Sequence, residues 1–328
     1  MSILKLLPRV AAALVLSLAG AAGAQEFPNK PIQLVVPFAP GGFVHAVALM
    51  MSDGMSKALG QPVVVVNQPG ANGIVAANAV AKAAPDGYTV FLPTASILTI
   101  NPHLYKQVQY DPHADFVPIG QIVSTSNLFV VSASSGIKTF RELVDRARSR
   151  PEAVSYGSSG AGSIQHISGE ALQQQARLKM THVPYKGIAP ALADVIGGNL
   201  TMVFSDASAL PHVKAGKLTA LAVSPRALPD LPGVPSVTEA AAAAGLPQFQ
   251  PPTLWYGLVA PKGTPAPVIA KLNQAMADTL KRPDVRERMV AAGAVVADNT
   301  APEAFGAMIR ADHGRYGTLI KTLNLTVE

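Results

Sequence analysis

The chain contains no cysteine. Thiol catalysis, disulfide cross-links and cysteine-based metal sites are therefore excluded. Charge is scarce as well: Asp, Glu, Lys and Arg together make up 14% of the residues, low for a soluble protein. Its basic residues are scattered, and the few aromatics (5%) are not interleaved with them. No nucleic-acid footprint results. There is no G-K-S/T of a P-loop and no H-E-x-x-H of a zinc protease. Beyond residue 24 no apolar run approaches the ~20 residues that a membrane-spanning helix needs. The stretch Ile74 to Ala84 comes nearest and is broken by Asn78 and Lys82.

What is present begins with a leader. Lys5 and Arg9 precede an apolar block from Val10 to Leu18, and small residues then run to Ala22-Gly23-Ala24. A charged start, a short apolar centre and an A-x-A end read as a cleavable secretory signal, residues 1–24. Its removal takes the formal charge from +6 to +4. The remaining length suggests roughly two domains. Apolar residues make up 49% of the chain, enough for packed cores without cross-links.

Apolar runs alternate with helix-like stretches. "IQLVVPF" reads as a buried strand and "PVVVVNQ" and "YTVFLPT" as a second and third strand, with helices "HAVALMMSDGMSKALG" and "GIVAANAVAKAA" between them. Strand, helix, strand, helix, strand implies a parallel sheet with right-handed crossovers. A second α/β unit follows in "SNLFVVSAS", "AVSYGSS", "MTHVPY", "LTMVFSD" and "LTALAVSP", with helices between, one of them N-capped by Thr139. The proline-rich stretch Pro225 to Pro235 is an irregular connector. Strand "LWYGLVAPKG" and three further helices, the last from Pro302 to Leu323, come after it. These helices lack a sheet of their own and are expected to pack on the first unit. The expected division is residues 25–126 with 225–328 as one discontinuous lobe and 127–224 as the other.

In open parallel sheets, ligands bind beyond the carboxyl ends of the strands. Helix N-termini there offer unpaired N–H groups and partial positive charge. "PFAPGG", Pro37 to Gly42, is such a corner: prolines stiffen the exit and glycines let backbone amides approach a ligand. "YGSSGAGSIQH", Tyr156 to His166, repeats the arrangement in the second unit with three glycines and three serines. Further corners carry Asn67, Thr94 with Ser96, Tyr185 with Lys186, and Ser205, Asp206 and Ser208. Neutral donors dominate, which suits an anion that must later be released.

Enzyme templates fit poorly. Gly160-Ala161-Gly162 lacks the third glycine of a dinucleotide loop. Gly157-Ser158-Ser159-Gly160-Ala161 misses the nucleophile elbow by its last residue. His166 as base to Ser159 has no evident orienting partner. Asp111, His113 and Asp115 alternate in a proline-broken loop that reads as solvated, so no metal site and no cofactor are expected.

Together, "PNKPIQLVVPFAPGG", "LGQPVVVVNQPGANG", "APDGYTV", "INPHLY", "YDPHADFVPIG", "YGSSGAGSIQH", "HVPYKGIAPAL", "AGKLTALAVS" and "WYGLVAPKGTPAPVIAKLN" resemble the Bug family. These are periplasmic solute receptors of tripartite tricarboxylate transporters, and the resemblance spans essentially the whole chain after the leader. It implies a type II periplasmic binding fold: two α/β lobes, a two-crossing hinge and a ligand in the cleft. The ligand it implies is a small organic carboxylate, a diacid or an aromatic acid, delivered to membrane transport subunits. On matching positions Phe38, Ala39, Pro40, Gly41 and Gly42 resemble the first grip. Ser158, Ser159, Gly160, Ala161, Ser163 and His166 resemble the second. Asn67, Thr94, Tyr185, Lys186 and Asp206 fall on other cleft loops. His45 and Leu49 stand where the family usually has Asp and Arg. A histidine there removes a negative charge, which leads us to expect an anionic or aromatic ligand group beside His45. The expected protein is a monomeric, non-enzymatic periplasmic receptor. A secreted serine hydrolase using Ser159 and His166, and a receptor serving a two-component sensor, remain the alternatives.

Overall fold

The computed structural model describes residues 27–151, 153–224, 228 and 231–326. The leader expected at 1–24 and part of the proline-rich connector lie outside the described residues.

The chain opens with β1 (Ile32–Val36), α1 (Phe43–Leu59), β2 (Val63–Asn67), α2 (Ile74–Ala81) and β3 (Thr89–Phe91). Short helices α3 (Ala95–Thr99) and α4 (Asn101–Leu104) lead to β4 (Phe116–Thr125). Next come β5 (Asn127–Ser132), α5 (Phe140–Ser149), β6 (Ser155–Ser158), α6 (Ile164–Ala176), β7 (Thr181–Pro184) and α7 (Ile188–Ile196). They are followed by β8 (Met202–Ser205), α8 (Leu210–Lys214), β9 (Leu218–Ser224) and α9 (Val237–Ala243). The chain ends with β10 (Leu254–Pro261), α10 (Ala266–Lys281), α11 (Pro283–Ala291), β11 (Ala294–Val296) and α12 (Pro302–Leu323).

Two mixed sheets result, ordered β11-β4-β10-β3-β1-β2 and β7-β6-β8-β5-β9. In the first, β1 runs parallel to β2 and β3, and β10 is antiparallel to β3 and β4. In the second, β6 runs parallel to β7 and β8, and β5 is antiparallel to β8 and β9. Strands β5, β8 and β10 are buried along their whole length, whereas β2, at the edge of its sheet, leaves Val64 exposed. Gly60 closes α1 in the left-handed region (φ 67°), where its N–H donates to Ser56 O. Thr139 caps α5 by accepting the Glu142 N–H at 3.1 Å. The sequence thus builds two α/β lobes.

The crossings between the lobes are short. Thr125 pairs with Leu254 in the first sheet, and Asn127 pairs with Ser224 in the second, so Ser126 alone separates them. The return comes later than residue 225. Helix α9 buries Val237, Ala240 and Ala241 in the second lobe's core, together with Leu246 and Phe249. The Phe249 ring lies 6.1 Å from Phe129 and 6.0 Å from Phe140. The second lobe therefore extends to Phe249, and the chain re-enters the first sheet at Leu254. An alanine-rich helix behind prolines carries little apolar pattern of its own. A capping box of Ser236 and Glu239 starts it, and its burial places it. The Asn127 side-chain amide donates to Pro252 O at 2.9 Å and ties the two crossings together.

One ten-residue strand, β4, was not expected from the sequence. Pro118 and Gly120 interrupt its pattern, and proline normally argues against a central strand. Here the β10–β4 register shifts between Leu258 and Val259, and Pro118 lies opposite Val259. A bulge tolerates the missing N–H. Gly120 has no room for a side chain, because a Cβ would sit 2.4 Å from Thr300 O.

Candidate functional site

One cavity at the strand-end corners is lined from both lobes. Phe38, Ala39, Gly42, Phe43 and Val44 come from the β1–α1 corner, Thr94 and Ser96 from the end of β3, and Leu254 and Tyr256 from β10. The other lobe supplies Ser159, Ile164 and Gln165 around the start of α6, Ile188 at the start of α7, and Asp206 after β8. The cavity measures about 30 Å³, which holds on the order of two waters.

Local sequence explains both corners. Gly42 is the N-cap of α1 and has no side chain to satisfy the first-turn N–H groups. Ala46 is the first residue whose N–H turns back into the helix, onto Gly42 O at 3.1 Å. The N–H groups of Phe43 and Val44 thus remain for whatever occupies the cavity. Across from them, Ser163 caps α6 by accepting the His166 N–H at 3.3 Å. Gly160 and Gly162, with φ of 139° and 77°, turn the loop sharply in front of that helix.

The lobes touch around the cavity. Ala39 N–H donates to Lys186 O at 3.2 Å, and the Tyr105 hydroxyl donates to Ala161 O. Gly160 packs on the backbone of Asn72, and Gly162 on Leu104 and Tyr105. Asn72 is itself held in the left-handed region (φ 47°), with its amide donating to Asn101 Oδ1 at 2.9 Å.

The electrostatics of the wall are unusual. No Lys, Arg or His is among the lining residues, and the one formally charged group is Asp206. Its Oδ1 accepts the Ser208 N–H at 3.0 Å and the Ser208 hydroxyl. Tyr256, from the other lobe, lies on the same cavity wall. Burial pushes the Asp206 carboxyl above the usual range, against the pull of these donors. Burial, reinforced by the neighbouring carboxylate, holds the Tyr256 hydroxyl protonated. Ser159 Oγ donates to Gln165 Oε1 at 3.0 Å, and the Thr94 and Ser96 hydroxyls lie 3.0 Å apart.

Of the residues singled out from sequence, Phe38, Ala39, Gly42, Thr94, Ser159 and Asp206 line the cavity. Pro40 and Gly41 are exposed on its rim. Gly160 and Ala161 form lobe-to-lobe contacts instead of wall. Ser158 is fully buried; its hydroxyl lies 2.7 Å from His182 Nε2 and bonds the Gly160 backbone. His166 faces away from Ser159. Its Nδ1 accepts the Gly162 N–H at 3.0 Å, and its ring stacks on His182 at 4.1 Å. Burial, with the neighbouring His182, pushes the His166 imidazole down to about 3, and burial pushes His182 down to about 4. Both rings are neutral braces behind the loop. Tyr185 donates to Asp194 on its own lobe, and the Lys186 side chain is exposed.

His45 is not among the residues lining the cavity, and its Nδ1 lies 3.1 Å from the Asn67 amide nitrogen. Asn67 in turn donates to Phe38 O at 2.8 Å and braces the first corner from behind. The histidine thus supports the loop through Asn67. Gln165, Ile188, Leu254 and Tyr256 were missed. Gln165 stands inside the quoted second motif, but β10 reads only as a buried strand and signals nothing about a site.

A family model described as the tripartite tricarboxylate transporter family receptor matches residues 47–325. The chain belongs to this family. Among curated relatives of this receptor, the UPF0065 protein in the tcbD-tcbE intergenic region of Pseudomonas sp. (strain P51) is 36% identical over 318 residues, covering 96% of this chain and 93% of the relative. Protein BugT of Bordetella pertussis is 32% identical over 280 residues, covering 84% of each. Among solved structures, the periplasmic binding protein BugD superposes with a TM-score of 0.87 at 32% identity, covering 92% of this chain and all of the other. MatC from Rhodopseudomonas palustris with bound malate gives 0.84 at 32% identity, covering 90% of this chain and 100% of the other. Rpa4515 of R. palustris with adipate gives 0.86 at 31% identity, covering 92% and 99%. The receptor's two α/β lobes and two-crossing hinge are thus the type II periplasmic binding fold.

Proposed function

We propose that this receptor works in the periplasm, where it captures a small organic carboxylate between its lobes and presents it to the membrane subunits of a tripartite tricarboxylate-type transporter. The observation that carries the reading is the cavity itself. Both lobes aim a helix start at one space whose wall holds no cationic side chain. Backbone amides and hydroxyls then carry the anion's charge. Relatives of the same fold bind malate and adipate, which supports the ligand class. Contacts from both lobes favour the closed state over the open one.

The reading assigns no chemistry to the site. Ser159 is bonded to Gln165, and the acceptor nitrogen of His166 is taken by Gly162, so no nucleophile–base pair faces the cavity. Both walls come from one chain, so a monomer suffices. Thermal unfolding against a panel of mono-, di- and tricarboxylates tests the reading, since a bound ligand raises the midpoint with concentration. Turnover of ester substrates with no stabilisation by any acid would overturn it.

A further inference from the structure

The only formal charge on the cavity wall is negative, and it is fixed in place. Asp206 is buried and anchored by both bonds from Ser208 on Oδ1, with Tyr256 of the opposite lobe on the same cavity wall. Oδ2 is the freer oxygen, and an ionised carboxylate accepts but never donates. Tyr256 is the one titratable side chain facing Asp206 from β10, and no cation lies among the residues lining the cavity to offset the charge. The helix starts that attract an anion belong to the Gly42 and Ser163 corners. The cavity therefore has an anion-seeking side and an anion-bearing side.

We propose that Asp206 sets specificity: the receptor takes a short monocarboxylate with a hydrogen-bond donor, hydroxyl or ammonium, on the end that meets Asp206, and rejects a second carboxylate there. This rests on the carboxylate-receptor reading and narrows it. It separates this chain from a receptor for a plain diacid. A second carboxylate about 5 Å from Asp206, at an effective dielectric of about 20, is disfavoured on the order of a hundredfold. A donor at the same place gains a charge-assisted hydrogen bond.

The test is calorimetric binding at pH 8 of matched acids from three to six carbons. At each length the unsubstituted monocarboxylate, its ω-hydroxy form and the diacid are compared: propanoate, 3-hydroxypropanoate and malonate at one end, hexanoate, 6-hydroxyhexanoate and adipate at the other. At the best length, the wild type is expected to bind the hydroxy acid about tenfold more tightly than the plain acid. The diacid should be weaker by on the order of a hundredfold. Asp206→Asn keeps the shape and should shrink the diacid's disadvantage to within about tenfold. A second measurement on the wild type alone guards against a misfolded variant. On the wild type at pH 8, the ω-ammonium acid of the same length should bind at least as tightly as the hydroxy acid, because its cation meets the Asp206 carboxylate. A wild type that binds a diacid as tightly as its hydroxy acid overturns the inference and leaves the receptor reading standing. Binding of no acid in the series or in the wider panel overturns both.

Discussion

Replacing Gly162 by alanine separates the cost of folding from the cost of closure. Gly162 has φ 77°, so alanine there costs about 1–2 kcal/mol in any state of the protein. The added Cβ also falls 2.9 Å from Leu104 Cδ2 and 2.9 Å from Tyr105 Cε2. Both partners belong to the opposite lobe, and carbon atoms prefer ~3.5–4.0 Å. Overpacking of this kind costs about 1–3 kcal/mol and arises only when the lobes meet. Ligand affinity should therefore fall about 5- to 150-fold. Gly136 supplies the control: it has φ 74° and open space around its would-be Cβ. Gly136→Ala should lower the unliganded melting midpoint by a few degrees and leave affinity unchanged. Calorimetry with the tightest acid found, alongside melting of the unliganded proteins, reads both terms. If Gly162→Ala binds within twofold of wild type while melting earlier, the cross-lobe contact is not part of the bound state and the reasoning fails.

The buried histidine pair makes the second lobe acid-sensitive. His166 titrates near 3 in the fold and near 6.5 when unfolded. Its full stabilising effect is thus present above pH 6.5 and is lost as pH falls towards 3. The loss is about 3 kcal/mol by pH 4.5, and urea midpoints at pH 7 and 4.5 should show it in wild type and much less in His166→Asn. Phe129 lies 4.8 Å from Phe204 and 5.7 Å from Phe140; Phe129→Ala should cost about 3–5 kcal/mol by denaturant unfolding. His45→Asp keeps an acceptor for the Asn67 amide, so the order of preference among acids should not change. A reordered preference in competition binding would place His45 in the site after all.

Much of the fold was legible because buried strands and Gly-ended helices carry their signals locally. The β1-α1-β2-α2-β3 order, the Thr139 cap and the final helix from Pro302 to Leu323 are all of this kind. Where the reading fell short, tertiary packing had overridden local pattern. Pro118 and Gly120 hide β4, because a bulge and two close approaches make those residues acceptable. Helix α9 follows a proline-rich stretch, and its burial of Val237, Ala240 and Ala241, with the aromatic cluster at Phe129, Phe140 and Phe249, assigns it to the second lobe. The site divides the same way. Glycine corners announce themselves, since backbone geometry demands the residue. Tyr256 and Leu254 do not, because a strand residue looks the same whether it faces a core or a cleft. Ser158 and His166 stand on a loop beside the cavity, but their hydrogen bonds turn inward.

The last helix has a further use. Most of α12 packs on the first lobe, yet its final turn leans on the second: Gln174 Nε2 donates to Thr322 O at 3.0 Å, and Leu323 packs into the second core. The last turn of α12 thus bridges the two lobes. A fluorescent domain fused there would be tugged whenever the halves swing, turning the protein into an optical gauge of its own occupancy.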